Sequence, residues 1–430
     1  MNKEMIKNHS TLSKHVEYLD SIKILNEGIR AADPESCLKP FFSKNRIKIK
    51  KSTINLKKFG NVYIIAIGKA SDTMAKFVSK KVDFQHGLVV MPSNHKPVFS
   101  NKKIRFIRSS HPLPNKQSVT AAKYLEKLVS NTKKNDFIIF LISGGGSALI
   151  SQPMGISLSQ KIVVNDVLIH SGANINEISC VRKHLSEIKG GKILQKMNCT
   201  GISLVMSDVI GDDLSSISSG ITFADDTTFS DALRILKKYK IQGKVPKNVI
   251  RVLEMGRKKK FSETPKKPII KNIVIANNRK CLLAMKEKSK SMNYDVSIIH
   301  DINTDVKIAA KKLIKKITNT KNTCLIFGGE TTVKVTGNGK GGRNQELVLL
   351  LLKGLKKNNN FIISSLSTDG IDGNTQFAGA IMSSKHVSPF ESYLKNNNSF
   401  GFYKKFGGLI KTGPTHTNMN DVGIIIKRNL

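Results

Sequence analysis

The chain has 430 residues and carries 71 Lys+Arg against 31 Asp+Glu, a formal net charge of +40. That length gives room for about two or three domains and a large core, which excludes a peptide hormone, a lone binding module and a disulfide-stapled miniprotein. With 39% apolar and 24% charged residues the composition is that of a folded protein, and only the sign of the charge is unusual. Sixty of the basic residues are Lys and eleven are Arg, aromatics are 6%, and Trp is absent. Nucleic-acid readers lean on Arg forks and aromatic stacking, so the excess reads as a solvated Lys-rich surface and a nucleic-acid partner is not expected. Cys37, Cys180, Cys199, Cys281 and Cys324 form no CxxC, which points to free thiols in a reducing, cytoplasmic setting. No stretch approaches the roughly 20 apolar residues of a membrane helix, so no membrane association is expected.

In chain order, Leu19, Ile22, Leu25 and Ile29 fall three or four apart and predict an amphipathic helix within residues 12–32, stopped before Asp33 and Pro34. Short apolar runs follow at 62–67, 87–90, 137–142, 202–206, 273–276, 323–327, 361–366 and 423–426, separated by helix-length polar segments. Runs without alternation are what strands buried on both faces look like, and strands alternating with helices imply mainly parallel sheets between helix layers. The fold class expected is α/β, with two Rossmann-like three-layer domains. Residues 257–271, with two Pro and a cationic run, read as a solvated basic linker between domains at 1–256 and 272–430.

In such sheets ligands bind beyond the carboxyl ends of the strands, so the residues after each run were inspected. After the first run, Gly68-Lys69-Ala70-Ser71 leaves Lys69 as the one long side chain. After 137–142 come Ser143, Gly144, Gly145, Gly146 and Ser147, where successive glycines let backbone N–H groups converge on a phosphate or carboxylate. This is neither a Walker A loop nor a dinucleotide fingerprint, whose third Gly position is here Leu149. Farther on, Lys183 and Lys189 precede a strand ending at Asp208, Asp212 and Asp213, carboxylates that suit Mg²⁺ or another divalent cation; His184 reads as a capping or packing residue. Glu330, Thr331 and Thr332 lead to a Gly-rich loop that opens a helix at Arg343 and Asn344, where an anion would be held bidentately. Asp369 and Asp372 end a further run. Anion-binding glycines, Lys and Arg for phosphate, and Asp for a cation are the parts of a phosphoryl-transfer site.

The motifs GKAS at 68–71, HPLP at 111–114, SGGGSAL at 143–149, VRKHLSEIKGGK at 181–192, SDVIGDD at 207–213, GGETTV at 328–333, GKGGRNQE at 339–346, TDGIDGNT at 368–375 and TGPTHTN at 412–418 resemble, in order, those of the glycerate 2-kinases of the MOFRL-domain family. The likeness runs from about residue 15 to the C-terminus. It implies ATP-dependent phosphorylation of D-glycerate at its 2-hydroxyl to 2-phosphoglycerate and ADP, in a cleft between two Rossmann-like domains, with a homo-oligomer left open. Carried over by position, Lys69 and Arg343 take the substrate carboxylate and the transferring phosphoryl group, in either assignment. Gly144, Gly145, Gly146 and Ser147 cradle nucleotide phosphates or substrate, and Lys183, Lys189, Glu330, Thr331 and Asn344 are further nucleotide-binding positions. Asp208 is the first candidate for the base at the 2-hydroxyl, with Asp212, Glu330 and Asp369 as alternatives, and Asp212 and Asp369 are the metal positions. Ile221 and Asp226 stand where Pro is usual, and His416 where Gly is commoner. The nearest rival is an NAD(P)H-dependent hydroxypyruvate reductase, which lacks its GxGxxG here; a basic nucleic-acid-binding protein is the rival from another class.

Overall fold

The computed structural model describes residues 4–319, 323–355, 360–386, 389–415 and 417–427, so His416 lies outside the described residues. The chain forms two compact units, one of Leu38–Ile275 and one that joins Met1–Cys37 to Ala276–Leu430. The first 37 residues therefore belong with the C-terminal unit and not with the N-terminal domain expected from the sequence. The helix foreseen near the start is α1 (Leu19–Arg30), which buries Ile22, Leu25 and Ile29 and packs on a helix of the C-terminal unit at Asn278–Lys290.

In the 38–275 unit, six strands form one sheet: β1 (Val62–Ile67), β2 (His86–Pro92), β3 (Ile104–Ser109), β4 (Phe137–Ile142), β5 (Thr200–Met206) and β6 (Lys271–Ala276). The spatial order is β3-β2-β1-β4-β5-β6, and β1 pairs in parallel with both β2 and β4. Every residue of β4 is buried, and each large apolar side chain so covered contributes about 1.5–3 kcal/mol. Helices α2 (Ser71–Ser79) and α3 (Lys116–Ser130) follow β1 and β3. After β4 the chain makes a short helical turn at Gly146–Leu149, then α4 (Leu158–His170) and α5 (Ile175–His184). This strand order reverses direction between β1 and β4, so the crevice of a doubly wound sheet opens where Gly68 and Ser143 follow those two strands.

The basic 257–271 segment is largely exposed, its cationic run 257–260 throughout, but it lies wholly within the 38–275 unit and does not link the two units. Its first residue ends a helix (Lys247–Arg257), its last begins β6, and between them the Asp225 N–H donates to the Pro265 carbonyl at 3.0 Å. Glu263 accepts from the Phe229 N–H at 3.0 Å, and Thr264 is buried.

The second sheet holds β7 (Val296–Ile302), β8 (Cys324–Gly329), β9 (Phe361–Ser367), β10 (Gly379–Ser383), β11 (Leu409–Ile410) and β12 (Asp421–Lys427), in the order β7-β8-β12-β9-β10-β11. Only β7 and β8 pair in parallel; β12 runs antiparallel to both β8 and β9, and β9–β10 and β10–β11 are antiparallel too. The mainly parallel expectation therefore fails for this sheet. Absence of alternation reports burial on both faces, which β9 and β10 have throughout, and it carries no information about strand direction. Among the described residues no helix is long and apolar enough to cross a membrane.

Candidate functional site

The crevice of the 38–275 unit is stitched together by backbone and hydroxyl bonds. Lys69 N–H donates to the Gly144 carbonyl at 2.9 Å, Ala70 N–H to Ser143 Oγ at 3.0 Å, and Ser143 N–H to the Ile67 carbonyl at 2.9 Å. Gly68 has φ +128°, and a Cβ there would stand 2.2 Å from Ser143 Oγ, so the two strand ends touch only because this residue is Gly. A Cβ on Gly144 would lie 1.8 Å from Asp208 Oδ2: the half-buried carboxylate at the end of β5 rests against the bare glycine backbone. A Cβ on Gly145 would meet both Lys69 and His111 at 3.3 Å, which sets those side chains over the same turn.

Behind this face, Ser218 (φ +50°), Ser219 (φ +56°) and Gly220 (φ +61°) follow one another in the left-handed region. Two consecutive non-Gly residues there are costly, and such strain persists only where neighbours over-determine it. The neighbours are explicit. Ser218 Oγ donates to the Ser143 carbonyl at 2.9 Å, Ser219 Oγ pairs with Ser147 Oγ at 2.8 Å, and the buried Lys189 ammonium donates to the carbonyls of Gly146 (2.9 Å) and Ser218 (3.1 Å). Burial pushes the Lys189 pKa well below its ordinary value. Lys183, also buried, forms an ion pair with buried Asp225 at 3.3 Å. Lys183 and Lys189 thus hold the scaffold of the glycine turn, and their ammonium groups already have partners within the protein.

In the other unit, Arg343 opens α6 (Arg343–Leu355). Its Nε and Nη2 donate to Asp421 at 2.6 and 2.9 Å, and Nη1 lies 3.1 Å from Glu330. Carboxylate hydrogen bonds and charge raise the Arg343 pKa against the opposing effect of burial, while burial raises that of Asp421. The helix N-terminus is filled from within: Asp372 accepts from the N–H groups of Asn344 (3.0 Å) and Gln345 (2.9 Å), and burial pushes its carboxyl up to about 7. Asn344 is buried with its amide on Asp372 and its carbonyl oxygen on Ser365 Oγ at 2.5 Å. The ligand anion expected at this terminus is replaced by Asp372, and Asn344 has no amide group left to offer a nucleotide. Glu330, the buried Thr331 and Arg343 border a cavity of about 620 Å³ that Glu346 also lines.

Two family models match the chain: a domain of unknown function, DUF4147, over residues 20–254, and the MOFRL family over residues 323–421. A glycerate 2-kinase of Pyrococcus horikoshii is 36% identical, covering 94% of this chain and 96% of that one. A D-glycerate 2-kinase of Thermotoga maritima is 34% identical, covering 94% and 98%. The crystal structure of a Thermotoga maritima glycerate kinase superposes with a TM-score of 0.83 at 32% identity, covering 96% of this chain and all of that one. The chain belongs to the glycerate 2-kinases of the MOFRL family.

For this MOFRL-family glycerate 2-kinase, the structure brings Lys69, Gly144, Gly145, Gly146, Ser147, Lys189 and Asp208 to one crevice and Arg343, Glu330 and Thr331 to one cavity. Among the described residues no group of three or more His, Cys, Asp or Glu converges to hold a metal. Asp369 accepts from Ser367 Oγ (2.8 Å) and the Ile371 N–H (2.9 Å) through the same oxygen, Oδ1, and Asp212 sits at a left-handed turn after β5. Sequence reasoning missed Asp421, the Arg343 partner, and Asp225, the Lys183 partner. An Asp directly preceding an apolar run was the available signal for Asp421.

Proposed function

We propose that the chain transfers the γ-phosphoryl group of ATP to the 2-hydroxyl of D-glycerate, giving 2-phosphoglycerate and ADP. The observation that carries this reading is the crevice where β1 and β4 end, with Lys69 and Asp208 fixed on either side of a bare glycine backbone. Asp208 is the base that receives the hydroxyl proton as the new P–O bond forms and the bond to ADP breaks. Lys69 neutralises the anionic group beside it; Arg343, oriented within its own unit by Asp421 and Glu330, is the other functional cation that the family resemblance marks. Gly144, Gly145, Gly146 and Ser147 shape the floor. Phosphoryl transfer of this kind needs positioning and charge more than covalent chemistry. Asp212 is the protein carboxylate that would help to hold the Mg²⁺ or equivalent ion accompanying the nucleotide, which would supply neutralisation of phosphate charge.

Incubation with D-glycerate, ATP and Mg²⁺, coupled directly to enolase, tests this. Enolase accepts 2-phosphoglycerate, so a signal without phosphoglycerate mutase fixes the 2-position. The turn after β1 reads Gly68-Lys69-Ala70-Ser71 and has no GxGxxG, although the sheet order is that of dinucleotide-binding folds. NADH oxidation on hydroxypyruvate at a rate matching the kinase reaction would overturn the reading.

A further inference from the structure

Beside the glycine turn, within the 38–275 unit, lies a cavity of about 520 Å³ that shares Gly145 and Ser147 with the reacting floor and whose remaining walls take no part in the reaction above. Its walls are the 111–114 loop, the 145–148 turn, α4 and Arg182 of α5. That volume lies in the range of a nucleotide-sized ligand.

Its charge is one-sided. Lys161 is 5% exposed, and among the described residues neither it nor Arg182 has a carboxylate within 4.0 Å. The partner given to the Arg182 guanidinium is the neutral Asn165 side chain, with Nε donating to Oδ1 at 2.9 Å. Lys189, which also lines the cavity, is held by two carbonyls. Lys192 packs nearby over the Phe229 ring and on Met154. The one acidic side chain on the rim, Asp166, is 71% exposed and faces His170 at 3.4 Å. Burial, then the charges of Arg182 and Lys192, push the Lys161 pKa down to about 7; burial also lowers that of Arg182. Buried cations left together without a counter-charge are expensive, and such a cluster in a cleft marks a place completed by an anion from outside.

Part of the lining is apolar. Leu113 and Ile169 are 56% and 58% exposed, a large apolar exposure at a cavity mouth. The 620 Å³ cavity around Arg343 has the contrary character: its cation is already paired with Asp421 and Glu330, and Glu346 adds another carboxyl group.

We propose that the cavity of the 38–275 unit receives the nucleotide, with Lys161 and Arg182 gripping its phosphates and Leu113 and Ile169 covering its base. This rests on the kinase reading and adds to it the two residues and the wall that select a nucleoside polyphosphate. Binding of the anion favours the charged form of Lys161, so nucleotide binding near pH 8 is accompanied by proton uptake. The charged and titratable groups around Lys161 that bear on this titration are Arg182, Lys189 and Lys192, with Asp166 and His111 lining the same cavity.

Calorimetric titration of the full chain with MgADP, in two buffers of different ionisation enthalpy at pH 8, tests it, with kinase assays on the same preparations. The expected result is proton uptake in the wild type that disappears in Lys161→Met, with ADP affinity lowered at least tenfold and the KM for glycerate unchanged. Arg182→Met should weaken ADP similarly, and Leu113→Ser should weaken ADP while leaving pyrophosphate binding as it was. Two outcomes overturn the proposal: a Lys161→Met enzyme that binds ADP like the wild type, or one whose loss falls on glycerate KM alone, which would make this the pocket of the substrate carboxylate. Either result leaves the kinase assignment standing. A wild type that makes no 2-phosphoglycerate yet binds ADP with proton uptake would sink that assignment and keep the pocket.

Discussion

Gly144→Ala perturbs the proposed base without removing it. Gly144 is not among the positive-φ glycines, so alanine adds no backbone strain there. Its Cβ, however, would stand 1.8 Å from Asp208 Oδ2 and 2.5 Å from Cγ, where ordinary contact begins near 3.4 Å. The Asp208 carboxylate must retreat by about 1.6 Å. It is the end of a half-buried side chain, so the clash falls on side-chain and not on backbone atoms. A displacement of about 1 Å at a reacting group can cost of order 10²-fold in rate. The expected loss in kcat is therefore about 10²-fold, or roughly 2.7 kcal/mol of barrier, with little change in melting temperature. Initial rates of 2-phosphoglycerate formation for Gly144→Ala, Asp208→Asn and the double variant form a cycle. If displacement of Asp208 is the cause, the two losses overlap and the double variant is scarcely worse than Asp208→Asn. A Gly144→Ala enzyme with kcat within about threefold of wild type, or a double variant in which the losses multiply in full, would refute the reasoning.

Three further outcomes are expected. Lys183→Met leaves Asp225 charged and unpaired in the interior and should destabilise the protein by about 3–5 kcal/mol, read by urea denaturation; a stable variant that has lost only nucleotide affinity would return Lys183 to the binding site. Arg343→Lys cannot reproduce the fork onto Asp421, so kcat/KM should fall of order 10²-fold in the coupled assay, and near-normal activity would remove the need for that orientation. His184 is fully buried against the Cys180 carbonyl and Glu263, and burial holds its pKa below the usual 6.5. The unfolded chain then takes the proton first as pH falls. Stability present above about pH 6.5 is lost below it, by at most about 1.4 kcal/mol per pH unit from this group; denaturation midpoints of His184→Gln should lack that part of the slope.

The central strands and the glycine turn were legible because their signals are local. Six consecutive apolar residues at 137–142 can only be a buried segment, and three glycines after a strand can only be a turn that brings backbone close to something. Partners were not legible. Lys183 and Asp225 lie 42 residues apart in sequence, and nothing in either segment says that the other will bury with it. Asn344 looked available for a ligand because its competitor, Asp372, arrives from another loop. Asp421 is hidden for a geometric reason: in a parallel sheet functional residues lie beyond the carboxyl ends of the strands, whereas β12 runs the other way. Its first residue pairs in register with Gly329 at the end of β8 and with Ser367 at the end of β9, so the beginning of this strand stands at the functional edge.

The position of β12 also bears on how the protein is made. One unit closes on itself within residues 38–275, whereas the other takes α1 from the start of the sequence and its middle strand from residues 421–427. On a ribosome that adds about 5–20 residues per second and lets segments fold as they emerge, the 38–275 unit can consolidate while the other lacks the strand that joins its two halves. Until Asp421–Lys427 emerges, β8 and β9 present open edges to each other across an empty lane. The guanidinium of Arg343 waits for its fork partner for the same interval, so the cavity it borders is assembled only after the 38–275 unit has emerged.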